Sequence, residues 1–103
     1  MYKICFFVPV DYADAVKAAL FSAGAGKIGN YDQCCWQTAG QGQFRALAQS
    51  QPFIGKQGQL EITEEYKVEL VCAEALIKPA ITALKNSHPY EEPAYEVYKL
   101  EDF

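Results

Sequence analysis

The sequence predicts an α+β domain in which two helices cover one face of an antiparallel sheet. Three observations carry that prediction. Strand-like runs and helix-patterned segments follow one another in the order strand, helix, strand, strand, helix, strand. Glycine or proline punctuates nearly every junction. Half of the 103 residues are apolar, enough for one core in one domain.

The elements follow in chain order. Tyr2 to Val10 is rich in β-branched and aromatic residues and reads as a strand that Pro9 closes. Asp11 offers an N-cap and Asp14 a favourable charge in the first turn of a helix. Val16, Ala19, Leu20 and Ala23 form its apolar face, and Gly24 suits a left-handed C-cap. Tyr31 to Ala39 reads as a second strand carrying Cys34, Cys35 and Trp36. Gly40-Gln41-Gly42 breaks it, and Phe44 to Leu47 returns as a hairpin partner.

Residues 49–59 are polar with Pro52, Gly55 and Gly58, and read as loop, with Phe53 and Ile54 tucked against the body. In Leu60 to Cys72 the apolar series Tyr66, Val68, Leu70 and Cys72 alternates with Lys67, Glu69 and Val71, which gives a strand with one core face. Leu76, Ile77, Ala80, Ile81 and Leu84 have helical spacing. Pro79 is tolerable only in a first turn, so this helix begins near Ile77 or Lys78. Ala94 to Leu100 is the last strand. This order is the split βαβ, or ferredoxin-like, plan: 1–103 as a single sandwich with an extended β-hairpin. One sheet face then has no helix of its own, and self-association would cover it.

Charge narrows the partners. The net charge is −4, Arg45 is the only arginine, and the lysines are scattered. Phosphate neutralisation needs clustered basic residues, so neither nucleic acid nor an anionic membrane is expected. No stretch approaches the ~18 apolar residues of a membrane span, and no signal-peptide pattern is read, so the cytoplasm is expected. The cysteines Cys5, Cys34, Cys35 and Cys72 do not have the spacing of a disulfide framework. Cys5 and Cys72 read as small core hydrophobes.

Two polar features invite a functional reading. His88, Tyr90, Glu91 and Glu92 crowd the segment His88-Pro89-Tyr90-Glu91-Glu92-Pro93-Ala94-Tyr95. They suggest a small-ligand site, a divalent-metal site with His88 and Glu91 as ligands, or an acid–base pair of His88 with Glu91. The structural alternative is a stiff, proline-bracketed turn with His88 at the helix C-terminus. The run Gly24 to Tyr31 offers backbone N–H groups for an anion with Lys27 as counter-charge, or simply a tight connection that needs glycine. One of Cys34 and Cys35, on opposite faces of a strand, could serve a soft metal.

Gly24-Ala25-Gly26-Lys27-Ile28-Gly29-Asn30-Tyr31, Cys34, Gly40-Gln41-Gly42-Gln43-Phe44-Arg45, Pro52-Phe53-Ile54-Gly55 and the His88–Tyr95 segment occur together. The combination resembles the inserted middle (YqfO-type) domain of the NGG-interacting-factor-three-like proteins, as a stand-alone version, over nearly the whole chain. The His88 segment is also similar to one in the CutA proteins, with Glu92 where valine is usual there. CutA and PII proteins share the ferredoxin-like plan. The resemblance thus implies a homotrimer built through sheet edges and the long hairpin, with a small molecule, metal or protein as partner. For full-length members it implies a di-metal site on an outer α/β domain. With one histidine among these 103 residues a comparable paired site cannot be assembled, so the cyclohydrolase label is not expected to carry over.

Overall fold

The computed structural model describes residues 1–103 and has the predicted plan. Strand β1 (Tyr2–Pro9) leads through a single 3₁₀ turn into helix α1 (Ala13–Ser22). Strands β2 (Trp36–Arg45) and β3 (Leu60–Cys72) follow, then a second 3₁₀ turn, helix α2 (Ile77–Ser87) and strand β4 (Tyr95–Lys99). The sheet order is β2-β3-β1-β4, and all three pairings are antiparallel.

Alternation decides which residues meet the helices. Ile4, Phe6 and Val8 of β1 pair with Leu70, Val68 and Tyr66 of β3, and paired residues share a face. Together with Val16 and Leu20 of α1 and Ala80 and Leu84 of α2 they form the core. Phe6 is wholly buried, so its truncation to alanine costs about 3–5 kcal/mol. Helix α1 ends in a Schellman motif: the N–H of Ala25 donates to Leu20 O and that of Gly24 to Phe21 O. Gly24 is left-handed there, at φ 100°. Pro79 is the third residue of α2, where its missing N–H costs nothing.

Three sequence expectations are corrected. Asp11 does not cap α1: it lies in the 3₁₀ turn Val10–Tyr12, and the helix starts at Ala13 with no side-chain cap. Cys34 and Cys35 precede β2 rather than lying on it, so strand alternation does not set their directions. Cys5 is buried as expected, on the helix-free face, paired with Glu69 and Glu96. Gly40-Gln41-Gly42 does not break the second strand. β2 runs straight through it to Arg45, and its hairpin partner is β3, across the loop 46–59.

The β2–β3 pairing outruns the rest of the sheet. β1 stops at Pro9, opposite Glu65, whereas β2 and β3 stay paired to Arg45 and Leu60. The projecting two-stranded ribbon stretches the molecule to 46 × 24 × 24 Å. The loop at its end folds back, with Phe53 edge-on against Tyr12 at 5.4 Å between ring centroids. The ribbon lies beyond the helix layer, so Leu60 and Ile62 remain 60% and 59% exposed.

A candidate binding groove on the helix-free face of the sheet

The site starts where α2 ends. Pro89 disfavours a helical conformation for the residue before it, and His88 is accordingly extended at ψ 135°. The chain then passes around the edge of β1 just before β4 begins pairing. There the Phe7 carbonyl accepts a hydrogen bond from His88 Nε2–H at 2.7 Å. The other ring nitrogen, Nδ1, accepts the N–H of Tyr90 at 3.1 Å. These partners assign the neutral Nε2–H tautomer. The ring is 6% exposed, and burial pushes its pKa below the usual histidine value, although the Phe7 carbonyl and Glu65 partly offset this.

The bond to His88 fixes the backbone that carries Tyr90 onto the helix-free face. The Tyr90 hydroxyl donates to Glu65 Oε2 at 2.7 Å. Burial, followed by this carboxylate, pushes the phenol pKa strongly upward. The Tyr90 ring lies 6.1 Å from that of Phe44, tilted by 57°. Glu65 itself is only 8% exposed, although it sits on the helix-free face. Its carboxylate lies across β2 over Gly42, where any Cβ would collide with it. Gly42 thus leaves room on the strand for a side chain from β3.

Together these residues shape a groove of about 910 Å³, within the usual range for small-ligand sites. Its floor is Phe7, Thr38, Gly40, Gly42 and Lys67, and its walls are the loop 46–54 and the segment 90–94. Glu91 ties the walls together, accepting the Gln51 N–H at 3.1 Å and 3.2 Å from its two oxygens.

The candidate residues are therefore divided. Tyr90 and Glu91 line the groove, and so does the exposed Glu92. His88 lies behind Tyr90 as its support. For His88 to bind a metal it must surrender one of its two hydrogen bonds. No group of three or more His, Cys, Asp or Glu side chains has a metal-ligating arrangement. Lys27 stands elsewhere, on the exposed turn after Gly26. The Gly26 N–H donates to Val71 O, and Val71 is about 20 Å along β3 from Glu65 at the usual strand rise. The N–H groups of Gly24, Ala25, Gly26 and Ile28 are all bonded within the chain and are not free for an anion. Sequence reading missed Glu65 and Phe44. The available signal was Gly42, a glycine inside a strand, where another group can approach closely.

Comparison with known proteins places this architecture. No protein-family model matches the chain. It is 47% identical over 100 residues to the GTP cyclohydrolase 1 type 2 homolog of Halalkalibacterium halodurans, spanning 97% of this chain and 27% of that protein. The Bacillus subtilis homolog is 43% identical over 99 residues, 96% of this chain and 26% of that one. The crystal structure of a Bacillus cereus protein related to NIF3 superposes with a TM-score of 0.80 at 40% identity, over 98% of this chain and 26% of its own. The chain is homologous to one segment of these NIF3-related proteins. It spans about a quarter of the length of the curated relatives it matches. CutA from Xylella fastidiosa shares the fold of this NIF3-related segment, with a TM-score of 0.70, 21% identity and coverage of 99% and 85%. CutA1 from Pyrococcus horikoshii does so at 0.71 and 18%, over 100% and 86%. The segment thus has a CutA/PII-like α+β fold, in agreement with the resemblance read from its motifs.

Proposed function

We propose that this CutA/PII-like module is non-catalytic, assembles with itself as a trimer, and takes a small ligand or a partner protein on the helix-free face of its sheet. The observation that carries the reading is that face itself: a grooved sheet surface with no layer of its own chain above it. Both edges of the sheet are also open. β2 presents ten residues of edge and β4 five, and unpaired edges are templates for strand pairing. Trp36, on the helix-free face at the β2 edge, is 69% exposed, as expected of a group awaiting a neighbour.

The non-catalytic part of the reading draws support from His88. The one side chain of the chain suited to proton transfer near neutral pH has both nitrogens committed to backbone groups. The scattered lysines and net charge of −4 speak against nucleic acid and anionic membranes, and no helix is long and apolar enough to cross a membrane. Four free thiols suit a reducing compartment such as the cytoplasm. Light scattering tests the assembly: a mass near three protomers is expected, and a stable monomer across the micromolar range would remove the trimer from the reading.

A further inference from the structure

We infer that the groove is a binding site for a small organic cation, an ammonium or guanidinium on a flat apolar body, with Glu65 as its counter-charge. The inference rests on the ligand-binding reading above and names the chemistry of the ligand.

Glu65 is incompletely partnered. This side chain is more than nine-tenths buried, and its Oε2 accepts one hydrogen bond, from Tyr90. Its Oε1, over Gly42, has no hydrogen-bond partner in the chain and no ion pair reaches the carboxylate; since no buried side-chain oxygen is left without a partner, this oxygen opens to the groove. Lys67, next along the same face of β3, does not neutralise it. A carboxylate held in place by Tyr90 with one oxygen open to the groove is placed to accept a donor or a cation there.

The surroundings select the kind of cation. The groove is lined by Glu65, Glu69, Glu91 and Glu92 against Arg45 and Lys67, so its field favours positive charge. Phe44 and Tyr90 stand side by side next to Glu65 and offer aromatic faces, which attract ammonium and guanidinium groups. Phe7 and Phe53 extend the apolar lining for the body of the ligand. A bare metal ion fits less well, because only one buried carboxylate and no histidine nitrogen face the space.

The test uses phenethylamine as the probe, with phenylacetate and phenethyl alcohol as its anionic and neutral counterparts. Each is titrated into isotope-labelled protein while the amide shifts of Gly40 and Gly42 are followed, and light scattering gives the mass of the same samples. The amine is expected to move both amides and the counterparts to leave them in place. Glu65→Gln, which keeps an acceptor for Tyr90, should weaken the amine about tenfold or more. Should that variant fail to fold, Glu65→Asp, which withdraws the carboxylate from Gly42, should weaken it likewise. Equal response to all three probes, no response to any, or an amine affinity indifferent to both Glu65 variants would overturn the inference. Shifts at Gly42 that appear with protein concentration alone and block the amine would also overturn it, since a second copy then fills the groove, while the trimer reading stands. A monomer that binds the amine has the opposite meaning: the cation site holds and the trimer fails.

Discussion

Gly42 and Glu65 share one volume: the space a side chain on Gly42 would need is occupied by the Glu65 carboxylate from the neighbouring strand. The interaction couples two distant parts of the sequence. β2 keeps the position empty, β3 fills it, and the segment after α2 supplies the Tyr90 hydroxyl that holds the carboxylate there.

Gly42→Ala should therefore act through Glu65 and not through strand conformation. The carboxylate is the far end of a flexible chain and will move aside, so the fold should survive. Losing a hydrogen bond to a charged group costs about 1.5–3 kcal/mol, and removing a glycine from the unfolded chain returns about 0.4–1 kcal/mol. A net loss of about 1–2 kcal/mol by urea denaturation is expected. Ultraviolet titration should show one phenol moving back down towards the ordinary value of 10.0, since the Glu65 contact helps to hold Tyr90 above it.

His88 should make stability depend on pH in a definite direction. Its folded pKa is lowered, chiefly by burial, from the ordinary 6.5. The unfolded chain therefore binds the proton more readily, and stability rises with pH in that window. The contribution is complete above about pH 6.5 and is lost progressively as pH falls towards the depressed folded value. Protonated Nδ1 also loses the Tyr90 N–H as a partner. In His88→Gln the slope of stability against pH between about pH 7 and 5 should flatten. An unchanged slope would place the titrating group elsewhere.

Zinc and copper titrations distinguish the reading of His88 as a support from its reading as a metal ligand with Glu91. Binding through Nδ1 requires the Tyr90 N–H to lose its acceptor, and binding through Nε2 strips the Phe7 carbonyl of its donor. Wild type and His88→Ala should accordingly give the same stoichiometry and affinity by calorimetry. Loss of a tight site in the variant would restore the metal assignment.

Gly26→Ala should destabilise more than Gly29→Ala. Gly26 is left-handed at φ 81°, and a Cβ there would stand 2.9 Å from the Phe21 ring and 3.0 Å from the Cys34 carbonyl. Gly29 is also left-handed but has nothing within 4 Å. The left-handed conformation alone costs about 1–2 kcal/mol for alanine, and crowding adds to it only at Gly26. Thermal unfolding of the two variants side by side gives the comparison.

The core was legible in the sequence because burial imposes a period. Tyr66, Val68, Leu70 and Cys72 had to share a face, and Val16 and Leu20 had to share another. Pro79 likewise marked the first turn of its helix, since the ring fits nowhere else along it. Gly40 and Gly42 misled because strand propensity treats glycine as a break. The role of Gly42 depends on Glu65, some twenty residues away, and no local pattern contains that pairing. The burial of Cys5 was legible, while its face is set by its register against Glu69 and Glu96. In the His88 segment the residue types were visible and their division of labour was not. Only the position of the Phe7 carbonyl shows that the ring faces inward while Tyr90 and the glutamates face the groove.

The ribbon beyond Pro9 implies that the chain carries two stabilities. Its outer backbone bonds join only β2 to β3, with neither β1 nor a helix to hold them, whereas those of Phe6 and Val68 lie in the core. A two-stranded ribbon is marginal in water, so amides of residues 41–45 and 60–64 should open by local fluctuation and exchange with solvent well before the global unfolding that frees the core. Whatever clamps the ribbon to the body should therefore slow exchange along it first, while the midpoint of global unfolding has barely moved.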